Sequence, residues 1–373
     1  MKIGIEAARP NRPQKTGTEW YGFHVIQEMK KIADKRDQFI LYTNNPLHSG
    51  LEKMPNDSWR EEKLNWPLPR LWTQGRLSLE MLKNPPDALY IPAHAMPVIH
   101  PKRTVVTLHD VGFERFPELY SKPDLWYHRW SAKFVINQAS KIITVSNFSK
   151  NELIELYNAP ADKIHVTHLG FDRDRYRVIE NQDKITRVLE KYKIKKPYLF
   201  FIGRLERKKN IHLLVEAFGR FKQKNKDDKH QLVLVGRKGF EYEQIREMIK
   251  KYNLEDWVIE PGWVDEEDIP YLYNGAEIYT FPSSYEGFGI PSLEAMATGT
   301  PILASRAGSI PEICGDSALY FDTHDLESLE QKLEKIISSE DLQKSLVQKG
   351  FERIKDFSWE RTAEQTLDII KNA

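Results

Sequence analysis

Short apolar runs recur along this chain at the spacing a parallel α/β sheet needs. In the first half they are KIGIEA (2–7), FILYT (39–43), ALYIPA (88–93), TVVTL (104–108), IITVS (142–146) and IHVTHL (164–169). The second half repeats the rhythm with YLFFIG (198–203), QLVLVG (231–236), WVIEPG (257–262), IYTFP (278–282), PILAS (301–305) and ALYFD (318–322). Continuous apolar runs suit strands covered on both faces, whereas a one-sided strand would alternate. Helical patterns lie between them, at Glu19–Ala33, Asp124–Ala139 and Asn147–Tyr157 among others, and Ser146 or Asn147 is placed to cap the last. Beyond Asp325 the pattern is helical only, over Leu326–Ser338, Asp341–Lys355 and Trp359–Lys371.

Two βαβ series of domain size predict an α/β protein with two Rossmann-like, doubly wound domains facing a central cleft. Over Gly170–Lys196 the strand pattern lapses and charge rises. A linker at 176–196 therefore separates a first domain, 1–175, from a second, 197–356. In open α/β sheets ligands bind at the carboxyl ends of strands, so functional residues are expected just after the runs above.

Composition narrows the class. At 373 residues the chain suffices for two cores, and 40% apolar content excludes wholesale disorder. A net charge of +1 provides no global field for nucleic acid, so no nucleic-acid partner is expected. Cys314 is the single cysteine, which excludes an intramolecular disulfide and points to a reducing compartment. The first residues read as a strand, and no run approaches the ~20 apolar residues that span a bilayer. A cytoplasmic location follows, with attachment at the inner face of the membrane left open.

Three stretches pass the strand-end criterion. GRLERKKN (203–210) follows a strand directly. Gly203 lets the backbone turn closely, and Arg204 and Lys209 then stand beside the start of a helix at 211–222. Two cations with a helix N-terminus make an anion site suited to a diphosphate; the alternative is a solvated basic turn. TLHDVGF (107–113) puts His109 and Asp110 at a strand end, and His94 follows another; each is a candidate ligand residue or an ordinary core histidine. In SSYEGFGIPSLEAMATGTP (283–301), Glu286 lies on the loop after a strand and Glu294 in the first turns of a helix opened by Pro291. Gly287 and Gly289 between them let backbone N–H groups converge on a ligand, while carboxylates accept from sugar hydroxyls. Asp172-Arg173-Asp174 resembles metal-binding acid pairs, but its interleaved arginines favour a charged connector, and no metal is expected. KTGTEWYG (15–22), with Gly17 and Thr18, follows the first strand and is a candidate acceptor or phosphate contact.

Taken together, EGFGIPSLEAMATGTPILAS, GSIPEI, GRLERKKNI, LVLVG and TLHD resemble the retaining nucleotide-sugar glycosyltransferases that carry the E-x7-E motif, glycosyl transferases group 1. The resemblance runs over nearly the whole chain, in the expected order, and implies the GT-B fold. It implies that Arg204 and Lys209 neutralise the donor diphosphate, Glu286 holds donor-sugar hydroxyls and Glu294 binds the nucleotide ribose. Backbone amides of Phe288, Gly289 and Ile290 would meet sugar and phosphate, His109 the sugar near the reacting centre, and the backbone at Val264 the base. The terminal helix, 357–373, is where such proteins return to the first domain. KTGTEWYG departs from the family's Gly-Gly pair, which puts the acceptor contacts in doubt.

The expected activity is thus transfer of a hexose, with retention, from a nucleotide-diphosphate sugar to a glycan or lipid-linked acceptor, without metal or other cofactor. The region VVTLHDVGFERFPELYS resembles branches that use GDP-mannose in surface-polysaccharide assembly; UDP-glucose is the competing donor. A nucleotide-sugar epimerase and an inactive nucleotide-sugar-binding relative are the rival readings. A dinucleotide enzyme is disfavoured, because EAARPNRPQKTG and no G-x-G-x-x-G follows the first strand. Trp66, Arg70, Trp72 and Arg76 suit either a membrane surface or, preferably, an amphipathic helix covering the core. Oligomeric state is not legible.

Overall fold

The computed structural model describes residues 1–68 and 70–373. They form two compact units, Met1–Gly170 with Ser358–Ala373, and Phe171–Phe357.

Seven strands build the first unit: β1 (Lys2–Glu6), β2 (Gln38–Thr43), β3 (Trp59–Lys63), β4 (Ala88–Ile91), β5 (Thr104–Thr107), β6 (Lys141–Thr144) and β7 (Ile164–Val166). Their order is β3-β2-β1-β4-β5-β6-β7, with every pairing parallel. The inner strands bury nearly every residue, which is why they read as unbroken apolar runs. β3, WREEK, has no such run. It is an edge strand held by Trp59, whose ring stacks on Phe39 at 4.1 Å, while its charged positions blunt the free edge.

The second unit contains β8 (Tyr198–Ile202), β9 (Gln231–Val235), β10 (Val258–Gly262), β11 (Ile278–Phe281), β12 (Ile302–Ser305) and β13 (Ala318–Phe321). They are ordered β10-β9-β8-β11-β12-β13, again all parallel. Chain direction across the sheet reverses between β8 and β11, and between β1 and β4 in the other unit. Loops leaving two such strands diverge to opposite faces and leave a crevice at their carboxyl ends.

The expected linker at 176–196 is corrected in part. It contains the helix Gln182–Lys191, whose Ile185 and Leu189 are buried inside the second unit. Ile185 and Leu189 stand one turn apart amid charged neighbours, so a narrow apolar stripe was hidden by the composition of its outer face. The C-terminal helix Trp359–Lys371 belongs to the first unit and packs on the helix Gly17–Ile32. Trp359 stacks on His24 at 4.9 Å, Thr362 donates to the His168 carbonyl, and Lys371 pairs with Asp37 at 2.5 Å.

Trp72 is buried, with Nε1 donating to the Leu64 carbonyl, and Trp66 lies against Gly75. Both cover the core, ahead of a π-helical turn, Thr73–Leu77, and the helix Ser78–Lys83. No helix among the described residues is long and apolar enough to cross a membrane.

Candidate active site

The crevice between β8 and β11 collects the two charged motifs of the second unit. β8 ends at Ile202; the next residue, Gly203, has a φ of +151° that favours glycine, and the chain turns at once into Arg204. Gly236, after β9, lies so close that an added Cβ would stand 1.8 Å from the Gly203 carbonyl oxygen. A 3-10 turn, Arg207–Lys209, then delivers the chain through Asn210 into the helix Ile211–Lys224.

The loop after β11 is held by a ring of hydroxyls. Ser305 Oγ donates to the Ser283 carbonyl at 2.5 Å, and Ser292 Oγ to the Gly289 carbonyl at 2.8 Å. Ser309 donates through its N–H and its hydroxyl to the Glu286 carbonyl, and its hydroxyl also reaches the Phe288 carbonyl at 2.8 Å. Gly308 passes directly under this loop: a Cβ there would sit 2.6 Å from the Glu286 carbonyl oxygen. Gly289 has φ +98° and leads the helix Ile290–Ala297, with Pro291 in its first turn. Gly287 and Phe288 are buried and Ile290 is partly so, leaving the helix start beside the loop.

These supports bring the motifs together. Ser284 N–H donates to the Lys208 carbonyl at 2.9 Å, and Lys209 Nζ pairs with Glu286 Oε1 at 2.5 Å. Arg204 is 68% exposed in its side chain, with its guanidinium 3.6 Å from the Glu206 carboxylate. One cation is thus clamped and the other largely solvated at the same strand end. Glu294 takes a hydrogen bond from Tyr273 OH at 2.9 Å. Burial pushes its carboxyl up to about 7, against the lowering effect of hydrogen bonds from Tyr273 and Tyr176 and of the Arg175 charge. Such a carboxylate, poised near neutrality among hydroxyl donors, is suited to gripping a vicinal diol. Val264 is buried just after β10, and its neighbour Trp263 is exposed, with the Arg237 guanidinium 4.8 Å from its ring. Asp172 accepts the N–H groups of Asp174 and Arg175, and Arg173 donates to the Phe357 carbonyl; these are the bonds of a structured turn.

In the first unit, His109 follows β5 and is buried against Tyr21, edge to face at 4.6 Å, and beside His94 at 5.3 Å. Burial pushes His109 down to about 4. The ring is therefore neutral near pH 7. Its Nε2 lies 3.0 Å from the Pro92 carbonyl, which can only accept, so Nε2 carries the proton and Nδ1 is left as an acceptor. Gly17 and Thr18 open the helix Gly17–Ile32 behind the Thr16–Glu19 capping box. Glu19 is buried and held by Arg9 at 3.0 Å, with Arg12 at 3.4 Å. Gly17 and Thr18 belong to this first unit, and the residues gathered around β8 and β11 belong to the second.

Gly308, Ser309, Tyr273 and Tyr176 shape the site but were not singled out from sequence. GSIPEI stood out as a motif, yet nothing local says that its glycine and serine carry the Glu286 loop. The tyrosines have no local signal at all.

Residues 24–175 match the family described as Glycosyltransferase Family 4, and residues 182–353 match Glycosyl transferases group 1. The chain is 33% identical over 271 residues to O-antigen chain mannosyltransferase B of Escherichia coli, which covers 72% of this chain and 70% of that protein. The chain belongs to the group 1, family 4 glycosyltransferases. It is also 26% identical over 280 residues to the serotype-specific mannosyltransferase WbdA of Escherichia coli, covering 72% of this chain but 33% of that longer protein. Among solved structures, Anabaena Alr3699/HepE in complex with UDP and glucose aligns over the whole of both chains with a TM-score of 0.74 at 18% identity, which shows the shared fold. For this glycosyltransferase the epimerase reading falls away, and the two parallel sheets are those of the GT-B fold.

Proposed function

We propose that this glycosyltransferase moves a mannosyl residue from GDP-mannose, with retention, to a glycan or lipid-linked acceptor in surface-polysaccharide assembly. The observation that carries the reading is the meeting of Lys209, Glu286 and the helix start after Gly289 in the crevice between β8 and β11. Its mannosyltransferase relatives support the choice of sugar.

In this reading the bond from the sugar C1 to the diphosphate oxygen breaks, and its electron pair leaves on the nucleotide. Lys209, Arg204 and the amides of Phe288, Gly289 and Ile290 meet the charge that develops there, so they act more strongly on the transition state than on the bound donor. Because two cations already face that charge, no metal is needed. Glu286 orients the sugar, Glu294 takes the ribose hydroxyls, and the backbone at Val264 meets the base. The acceptor oxygen attacks C1 from the leaving-group face, and its proton passes to the departing phosphate oxygen, giving GDP and an α-linked product. For His109 the support is the family resemblance, together with a neutral ring whose Nδ1 accepts; Gly17 and Thr18 stay proposed acceptor contacts on the first unit. The enzyme is placed at the cytoplasmic side, where nucleotide sugars are made.

A thermal-shift panel of GDP, GDP-mannose, UDP and UDP-glucose tests the donor. A ligand at about a hundred times its Kd adds ~2.7 kcal/mol. GDP-mannose is expected to raise the Tm most. A shift with UDP-glucose alone overturns the sugar and base, and no shift with any of the four overturns the donor site. Anomeric analysis of the product by NMR tests retention, and an inverted linkage would defeat same-face attack.

A further inference from the structure

One face of the first unit groups apolar side chains that a water-exposed surface seldom gathers. Leu79 and Leu82 stand one turn apart on the helix Ser78–Lys83, with Leu82 63% exposed. Ser78 Oγ accepts the N–H of Val98 at 2.9 Å and of Ile99 at 3.3 Å, which seats a second exposed apolar pair at the start of that helix. Gln74 Nε2 donates to Tyr127 OH at 2.7 Å, and His100 meets Phe134 edge-on at 6.4 Å, so the helix Lys122–Gln138 flanks the same surface. Along it Trp126, Trp130 and Phe134, at four-residue spacing, stack in a ladder with centroids 6.4 and 5.4 Å apart. Trp126 is 67% exposed.

Charge says what covers this face. Residues 66–103 and 121–138 hold eight Lys and Arg against three Asp and Glu, in a chain whose totals are 55 and 54; Arg76 pairs with Glu80 and Arg129 with Glu114, and the six other basic residues stand outside these pairs. Face-to-face pairing of two copies would set like charge against like charge at low cost only in high salt. Anionic headgroups complement it instead. Tryptophan and leucine are side chains that settle at headgroup level, and basic residues near a surface each add attraction to acidic lipid.

We propose that this face docks on a membrane surface bearing anionic lipid headgroups, through Leu79, Leu82, Val98, Ile99, Trp126 and Trp130, with lysines and arginines around them over the phosphates. The proposal is independent of the donor assignment, since none of these residues lies at the crevice between β8 and β11.

Co-sedimentation of the full chain with vesicles of phosphatidylcholine and phosphatidylglycerol, and of phosphatidylcholine alone, tests it. Binding is expected to the mixed vesicles, with a blue-shifted tryptophan emission, weaker at high salt and weaker still without phosphatidylglycerol. The double variant Leu82→Asp, Trp126→Glu should bind the mixed vesicles about tenfold or more weakly, with the Tm and the nucleotide-induced shift unchanged. Lys122→Glu, Lys133→Glu should lower binding without touching the apolar ladder. Wild type that stays in the supernatant at low salt, or a Leu82→Asp, Trp126→Glu variant that binds as well as wild type, overturns the proposal. So does a wild-type dimer that this variant converts to monomer without any vesicle binding, which would assign the face to a second copy.

Discussion

Lys209 and Glu286, 77 residues apart in the chain, meet as an ion pair at 2.5 Å. One comes from the turn after β8 and the other from the loop after β11, and the pair is largely shielded from water. On the proposed donor reading, a diphosphate arriving there would find a cation already oriented by a carboxylate, whereas Arg204 is largely exposed to solvent. The two cations at one anion site therefore carry different structural burdens.

Replacing them separates those burdens. Arg204→Ala should leave stability within about 0.5 kcal/mol, as for an exposed side chain, yet lower kcat/KM for transfer about a hundredfold or more. Lys209→Ala should lose transfer similarly and also cost about 1–3 kcal/mol of stability, because Glu286 is left without its partner. Chemical denaturation and steady-state kinetics on the two variants check both halves. Equal stability loss in both would show that the ion pair does not hold the loop.

Gly308 is expected to be as important to the site as a charged residue. Its φ is +57°, and a Cβ would lie 2.6 Å from the carbonyl oxygen and 2.7 Å from the nitrogen of Glu286. Gly308→Ala should cost about 1–3 kcal/mol and push the Glu286 carboxylate out of register, so transfer falls with stability. Gly262 offers the control. Its φ is +76° but no atom lies within 4 Å of the added methyl, so Gly262→Ala should show the backbone cost alone, about 1 kcal/mol. Denaturant midpoints of the two variants decide the matter; a Gly308→Ala no worse than Gly262→Ala removes the loop-support role.

Stability should respond to pH in opposite directions at two places. Glu294 is pushed up to about 7 by burial, so the folded state holds its proton longer than the unfolded chain does. Its contribution is full below pH 4.5 and is lost as pH rises through 7. His109 is pushed down to about 4, so its contribution is present above pH 6.5 and is lost as pH falls through 4. Glu294→Gln cannot ionise. It should match wild type closely at pH 4 and exceed it by about 3 kcal/mol at pH 8, while binding nucleotide more weakly for want of a ribose-gripping carboxylate. Urea unfolding at the two pH values gives the result, and a variant less stable than wild type at pH 8 contradicts the buried-carboxylate account.

The strands came through in the sequence almost residue for residue, because a strand buried on both faces has no polar positions to blur it. Phe200 and Phe201 in β8, or Leu232 to Val235 in β9, leave little choice. Where burial is one-sided or shallow, the signal failed. Trp59 is the one large apolar anchor of β3, and Ile185 with Leu189 form a two-residue stripe on a helix whose other positions are mostly charged. Arg204, Lys209, Glu286 and Glu294 were legible because each follows a readable strand. The residues that hold them were not: Ser309 acts through backbone carbonyls, and Gly308 through the absence of a side chain.

From composition and periodicity alone came the α/β class, the two sheets and the places where chemistry could stand, since helix and strand preferences act over a few residues. Which loops meet required the strand order β10-β9-β8-β11-β12-β13. That order is set by burial and crossover packing among segments far apart in the chain. It sets β11 beside β8, Lys209 against Glu286, and Tyr273 over Glu294. A carboxyl's proton affinity depends on the water and dipoles within a few ångströms of it, so the poise of Glu294 exists only once those neighbours have folded around it.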